Sequence, residues 1–142
     1  MPSVPDRFTL RLARSMDGLT ALGPWMDEVA GTLGLAPPQE YALRLCLEEA
    51  VANVVMHGQP AAGAACDRVL VEVRHARGLL HVQVEDNCAS FDPLRQPAPD
   101  LDADLENRTI GGLGIHLMRQ YAQSVAYRRE NGVNRLELTI AG

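Results

Sequence analysis

Two pairs of alternating apolar segments, each doubling back over a very short link, constrain this chain more than any other feature. RVLVEVRH and LLHVQVED are joined at Ala76-Arg77-Gly78, and SVAYRRE and NRLELTI turn at Asn131-Gly132. Period-two alternation marks half-buried strands, and links this short allow only antiparallel pairing, because a parallel crossover needs a dozen residues or more. Gly and Asn at the turns supply the positive φ that tight hairpins demand. A fifth strand is expected where Phe8, Leu10 and Leu12 alternate with charged or polar residues.

The remaining periodic segments are helical. In SMDGLTALGPWMDEVAGTLGL the residues Leu19, Leu22, Met26, Val29 and Leu33 recur at helical spacing, with Ser15 or Asp17 as the N-cap. Gly23 and Pro24 mark a place where that helix kinks or divides. A longer helix is expected from Pro38 to Met56, with Pro38 in its first turn and Gly58 at its end. GGLGIHLMRQYAQ reads as a short helix, and the small-residue stretch GQPAAGAACD as a loop. From Asn87 to Ile110 the chain is proline-rich and acidic, and a connection that long is either a functional lid or a disordered segment. The order predicts an α/β two-layer sandwich, a mostly antiparallel five-stranded sheet with helices on one face.

At 142 residues the chain fits one domain, taken as residues 1–142, and 46% apolar with 22% charged residues is ordinary globular usage. The net charge of −5, with 13 Lys and Arg scattered along the chain, gives no basic footprint, so direct nucleic-acid binding is not expected. MPSVPDRFTLRLARS has no apolar export core and no apolar run approaches the roughly 20 residues of a membrane span, so a cytoplasmic protein without membrane contact is expected. Cys46, Cys66 and Cys88 are odd in number and far apart, which suits neither a disulfide framework nor a CxxC zinc site, and they read as reduced thiols.

Three constellations carry possible chemistry. On the long helix, Glu49, Asn53 and His57 repeat every fourth residue beside the apolar face of Leu43, Leu47, Ala50, Val51 and Val54. Asn53 offers an oxygen of the kind Mg²⁺ takes, and Glu49, one turn away, a carboxylate to hold a metal-bound water or accept a proton. The alternative is that Glu48 and Glu49 are solvated and pair with Arg44, while Asn53 and His57 merely finish the helix. Gly111-Gly112-Leu113-Gly114 opens another helix, where a close-approaching backbone and free amides make a seat for phosphate. The alternative is an ordinary flexible loop, and no P-loop or strand-linked GxGxxG is present. In VQVEDNCASFDP, Asp86 ends a strand, where a carboxylate can accept from an exocyclic amine such as that of adenine, or simply serve with Asn87 as a turn residue.

In this order, EEAVANVVMHG, VEDNCASFDP and IGGLGIHLMRQYAQSVAYRRENGVNRLELTI resemble the small anti-sigma serine kinases of the GHKL, or histidine kinase-like, ATPase group, over nearly the whole chain. The sandwich is similar to the Bergerat fold of that group. The resemblance implies that ATP and Mg²⁺ are cofactors, that Asn53 ligates Mg²⁺, that Glu49 is the general base, and that Asp86 binds the adenine amino group. It further implies that Gly111, Gly112, Leu113 and Gly114 lie against the phosphates, that the segment after Asn87 is a lid, and that His57 supports the pocket. The implied partners are a sigma factor, sequestered by the ATP-bound protein, and a STAS-type anti-sigma-factor antagonist phosphorylated on serine, with a homodimer as the implied assembly.

Two positions depart from the family pattern. Cys88 stands where DxGxxF has glycine, and if that position needs φ > 0 the substitution costs roughly 1 kcal/mol or more. Many relatives place a threonine near the start of the final strand to assist adenine binding, where this chain has Asn134 and Arg135. Both changes are expected to weaken nucleotide affinity, and they motivate a second reading, a protein-binding module with little or no kinase activity. A sensor histidine kinase is a third, disfavoured because no preceding helix carries a phosphoacceptor histidine.

Overall fold

The structure, a computed structural model, describes residues 6–95 and 112–142, with residues 112–114 described by backbone alone. The elements in order are β1 (Arg7–Ala13), α1 (Met16–Leu33), α2 (Pro37–His57), β2 (Arg68–Ala76), β3 (Leu79–Asp86), a short 3₁₀ turn (Pro93–Arg95), α3 (Gly112–Tyr121), β4 (Ser124–Glu130) and β5 (Val133–Ala141). The five strands form one sheet in the order β1-β2-β3-β5-β4, every neighbouring pair antiparallel. This is the sandwich expected from the hairpin pattern.

Both turns take the conformation their residues favour. Arg77 and Gly78 have φ of 54° and 77°, and Asn131 and Gly132 of 53° and 76°, the paired left-handed geometry that matches the twist of the flanking strands. Those turns set the register, and the register sorts the side chains. Val71, Val84 and Leu136 lie side by side across β2, β3 and β5, and Val73, Val82 and Leu138 form the next row. All six are buried. A slip of one residue would turn both rows to solvent.

Helices α1 and α2 cover this face, contributing Leu22, Met26, Val29, Leu43, Leu47 and Val51 to the core, and α3 adds Ile115 and Met118. Ser15 caps α1 by accepting from the Gly18 amide at 3.1 Å, and Gly34 closes it with a φ of 62°. Of the two expected outcomes at Gly23-Pro24, division does not occur, since α1 runs through Pro24 as one helix. Its buried Leu22 and Met26 flank that position, and packing on both sides outweighs the one lost backbone hydrogen bond. Helix α2 begins at Pro37 and ends at His57, one residue beyond the expected span at each end. Among the described residues no helix is long and apolar enough to cross a membrane.

Candidate functional site

The parity that fills the core also places two polar residues in it. On β3 the buried series Leu80, Val82, Val84 continues to Asp86, and on β5 the series Ile140, Leu138, Leu136 continues to Asn134. Asp86 and Asn134 are direct partners in the register. Two polar groups at the end of an apolar face must find hydrogen bonds there.

They find a dense set. The Asn134 side-chain amide donates to Asp86 Oδ1 at 2.8 Å and to the Ala89 carbonyl at 2.9 Å. Its Oδ1 accepts from Tyr127 Oη at 2.5 Å and from Arg129 Nη1 at 2.8 Å. The Cys88 amide adds a second bond to Asp86 Oδ1, at 3.0 Å. Asp86 Oδ2 has no such partner among the described residues, so within them one carboxylate oxygen is fixed and the other is not. Burial pushes the Asp86 carboxyl above the usual carboxylate range, opposed by the hydrogen bonds from Asn134 and Cys88 and by the charges of Arg129 and Arg14.

A cavity opens at this point. Asp86 and Asn134 line it from the sheet, Asn53 from α2, and the apolar walls include Ala50, Val84 and Leu136. Sequence-distant Asn53 and Asp86 thus share one pocket. The Asn53 amide makes no hydrogen bond among the described residues. Glu49 lies one turn earlier on α2, half-buried, and is not among the residues lining the cavity; nor is His57, the last residue of the helix. Burial and then the neighbouring Glu48 raise the Glu49 carboxyl above its ordinary range. The expected alternative partner, Arg44, is engaged elsewhere, bonded to Asp27 and to Glu40. Glu49 is therefore not held as half of that ion pair.

The donor set suits a purine nucleotide with a hard cation. A carboxylate oxygen accepts an exocyclic amine, apolar walls suit a base, and an amide oxygen is a ligand that Mg²⁺ shares with phosphates and waters. Of the expected phosphate seat, Gly112, Leu113 and Gly114 form the first turn of α3, while Gly111 and the greater part of the expected lid, residues 96–110, lie outside the described residues. The described start of that segment, at Phe91 and Pro93, lies by the cavity, and Ser90 Oγ is 3.4 Å from Tyr127 Oη.

Both departures from the family pattern resolve in this geometry. Cys88 is not among the positive-φ residues, so the feared strain at that position is absent. Its thiol is not reduced either, because Cys66 and Cys88 are disulfide-bonded, with Cα atoms 4.4 Å apart, and Cys46 alone stays free and buried. The expectation of three reduced thiols fails because a separation of 22 residues hides a contact that the fold creates. Burial, and then the charge of Glu49, push the Cys46 thiol up to about 11. Asn134, taken from sequence as a missing threonine, is 4% exposed and holds Asp86 directly. Its parity with Leu136, Leu138 and Ile140 was the signal that places it inside. Asn87, by contrast, is structural, its Oδ1 accepting from the Asp67 and Arg68 amides at 3.1 Å each.

The geometry agrees with what the chain is similar to. A family model described as a histidine kinase-like ATPase domain matches residues 14–140. The serine/threonine-protein kinase BtrW of Bordetella bronchiseptica is 30% identical over 135 residues, covering 92% of this chain and 91% of BtrW. The serine-protein kinase RsbW of Listeria monocytogenes is 27% identical over 138 residues, covering 94% of this chain and 87% of RsbW. A solved structure of the RsbU and RsbW domains of Rv1364c from Mycobacterium tuberculosis superposes with a TM-score of 0.68 at 13% identity. That match covers 96% of this chain and 32% of the solved one, and it speaks for the fold alone.

Proposed function

The chain belongs to the histidine kinase-like ATPase domain family, and we propose that it is a protein serine kinase and anti-sigma factor of a partner-switching system. It binds ATP with Mg²⁺, sequesters a sigma factor, and phosphorylates a serine on a STAS-type anti-sigma-factor antagonist. The observation that carries this reading is the convergence of Asp86 and Asn53, from different layers of the fold, on one cavity.

Each residue has a task set by its position. Asp86, with Oδ1 fixed by Asn134 and Cys88, presents Oδ2 to the adenine amino group. That choice favours adenine over guanine, whose carbonyl at the same edge would meet the carboxylate as acceptor against acceptor. Asn53 holds the ion, and the backbone opening α3 at Gly112 receives phosphate at a helix N-terminus. When bound, Mg·ATP supplies the phosphoryl group and the countercharge on it. Glu49 accepts the proton of the attacking serine hydroxyl, and its raised carboxyl brings it nearer the affinity such a base needs at neutral pH. The two relatives named as protein kinases support the choice of reaction.

Titration calorimetry with Mg·ATP and Mg·ADP, followed by a phosphotransfer assay on the antagonist read by intact mass, tests this reading. Nucleotide binding with addition of one phosphoryl group to a serine is expected. Partner binding without measurable nucleotide affinity would instead identify a nucleotide-independent binding module.

A further inference from the structure

The disulfide stands where the two halves of the site meet. Cys88 lines the cavity, its amide holds Asp86 Oδ1 at 3.0 Å, and its carbonyl accepts from Arg129 at 3.1 Å. Cys66 ends the loop that leaves α2, and its carbonyl accepts from Arg14 Nε at 2.6 Å. The same Arg14 reaches back to the Val55 carbonyl in the last turn of α2, at 2.9 Å. A Cβ on Gly58 would come within 3.0 Å of Cys88 Sγ, so the helix end packs directly on the sulfur. Beside the S–S bond, the strand-end segment is tied to the loop by the Ala89 amide on the Gln59 carbonyl, at 2.7 Å, and to Asp67, next to Cys66, through Asn87. Removing the crosslink would therefore leave the backbone of Cys88 held at its neighbours while freeing its side chain.

We propose that the Cys66–Cys88 pair is a thiol–disulfide control on the nucleotide pocket, the oxidised form binding nucleotide more tightly than the reduced one. This inference rests on the nucleotide reading of the cavity. The crosslink restricts the Cys88 side chain, which lines the cavity, so less ordering remains for a ligand to impose. Disulfides in reducing compartments are commonly sensors rather than staples.

The chemistry is exchange with a low-molecular-weight thiol–disulfide couple. In the oxidising direction the Cys66 thiolate, the more accessible at 9% against 2% for Cys88, attacks a small disulfide and expels one small thiolate. Cys88 thiolate then attacks the Cys66 sulfur of the mixed disulfide and expels the second. Two electrons pass from the protein to the small disulfide, and the two protons lost by Cys66 and Cys88 end on the two small thiols released. Entry to Cys66 is through its own loop, where Ala62 to Ala65 are exposed.

Coupling between binding equilibria is reciprocal. If oxidation tightens nucleotide binding, nucleotide must favour the disulfide by the same factor. The experiment equilibrates the intact protein in buffers of fixed dithiol-to-disulfide ratio, with and without saturating Mg·ADP. Alkylation and intact mass give the fraction oxidised, and calorimetry gives the Mg·ADP dissociation constant at each extreme. The expected result is an affinity at least about fivefold weaker in the reduced protein, at the low end of ordinary coupling, with the oxidation midpoint moved by the same factor. Cys66→Ser, which leaves Cys88 in the pocket, should bind like the reduced protein and ignore the buffer. Equal affinity in both redox forms, or Cys66 and Cys88 alkylated as free thiols at every ratio, overturns the proposal while leaving the nucleotide site standing. No Mg·ADP binding to either form overturns both.

Discussion

The sheet end and the helix face that share the cavity are built on opposite plans. At the sheet end, Asp86 and Asn134 are tied by hydrogen bonds to Tyr127, Arg129, Cys88 and Ala89, so the acceptor is aimed before any ligand arrives. On α2, Glu49 and Asn53 have no side-chain hydrogen bond among the described residues. On the proposed function, base recognition would thus be preformed, whereas the metal and proton chemistry would wait for its substrate. From sequence the order of certainty was the reverse, because the α2 spacing is regular and the sheet end carries both departures from the family pattern.

Substitutions on the two sides should therefore fail differently. Glu49→Ala has the largest expected effect, a loss of roughly 10²- to 10⁴-fold in phosphotransfer with nucleotide affinity and stability nearly unchanged, measured by intact mass and calorimetry. Phosphotransfer at the wild-type rate would remove Glu49 from the mechanism. Asp86→Ala should weaken Mg·ADP binding by about tenfold or more, and also lower stability, since it leaves buried donors of Asn134 and Cys88 without their acceptor. Intact affinity there would erase the contrast between the two regions.

Asn134→Ala should lower unfolding free energy in urea by about 1–3 kcal/mol, because Tyr127 and Arg129 lose their shared acceptor. Asn53→Ala should shift stability by less than about 0.5 kcal/mol while removing most of the Mg²⁺ dependence of nucleotide binding. If Asn53→Ala unfolded the protein as readily as Asn134→Ala, the helix face would be structural after all. The smallest effect is a pH effect. The folded Glu49 carboxyl titrates above its ordinary value of 4.5, so the folded state retains a proton that the unfolded chain has lost. Its contribution to stability is therefore full below the ordinary range and is lost as pH rises through the folded value. Glu49→Gln should accordingly be slightly more stable than wild type at neutral pH, with the gain vanishing on acidification in urea titrations.

Local rules made most of the fold legible. Turn residues Arg77-Gly78 and Asn131-Gly132 announced the hairpins, and alternation along β2, β3 and β5 announced the buried face. The same alternation carried Asn134 inward, yet residue type drew attention to the threonine it replaces and away from the parity it shares with Leu136. Pro24 was read by its intrinsic tendency, which the packing of Leu22 and Met26 overrides. The Cys66–Cys88 bond and the Arg44 pairing with Asp27 had no local sign at all, since each depends on tertiary proximity between segments distant in sequence.

The strand order has one more consequence, in time rather than space. Because β3 pairs with β5 and not with the strand next in the chain, Asp86 meets Asn134 only after some fifty further residues have been made, a separation of 48. A nascent chain emerging as far as β3 can close its first hairpin, but its carboxylate then sits at an unpaired sheet edge with no partner. Long-range pairing of this kind is slow relative to hairpin closure. The arrival of β5 thus joins the two sheet edges and gives Asp86 its hydrogen-bond partner in a single event.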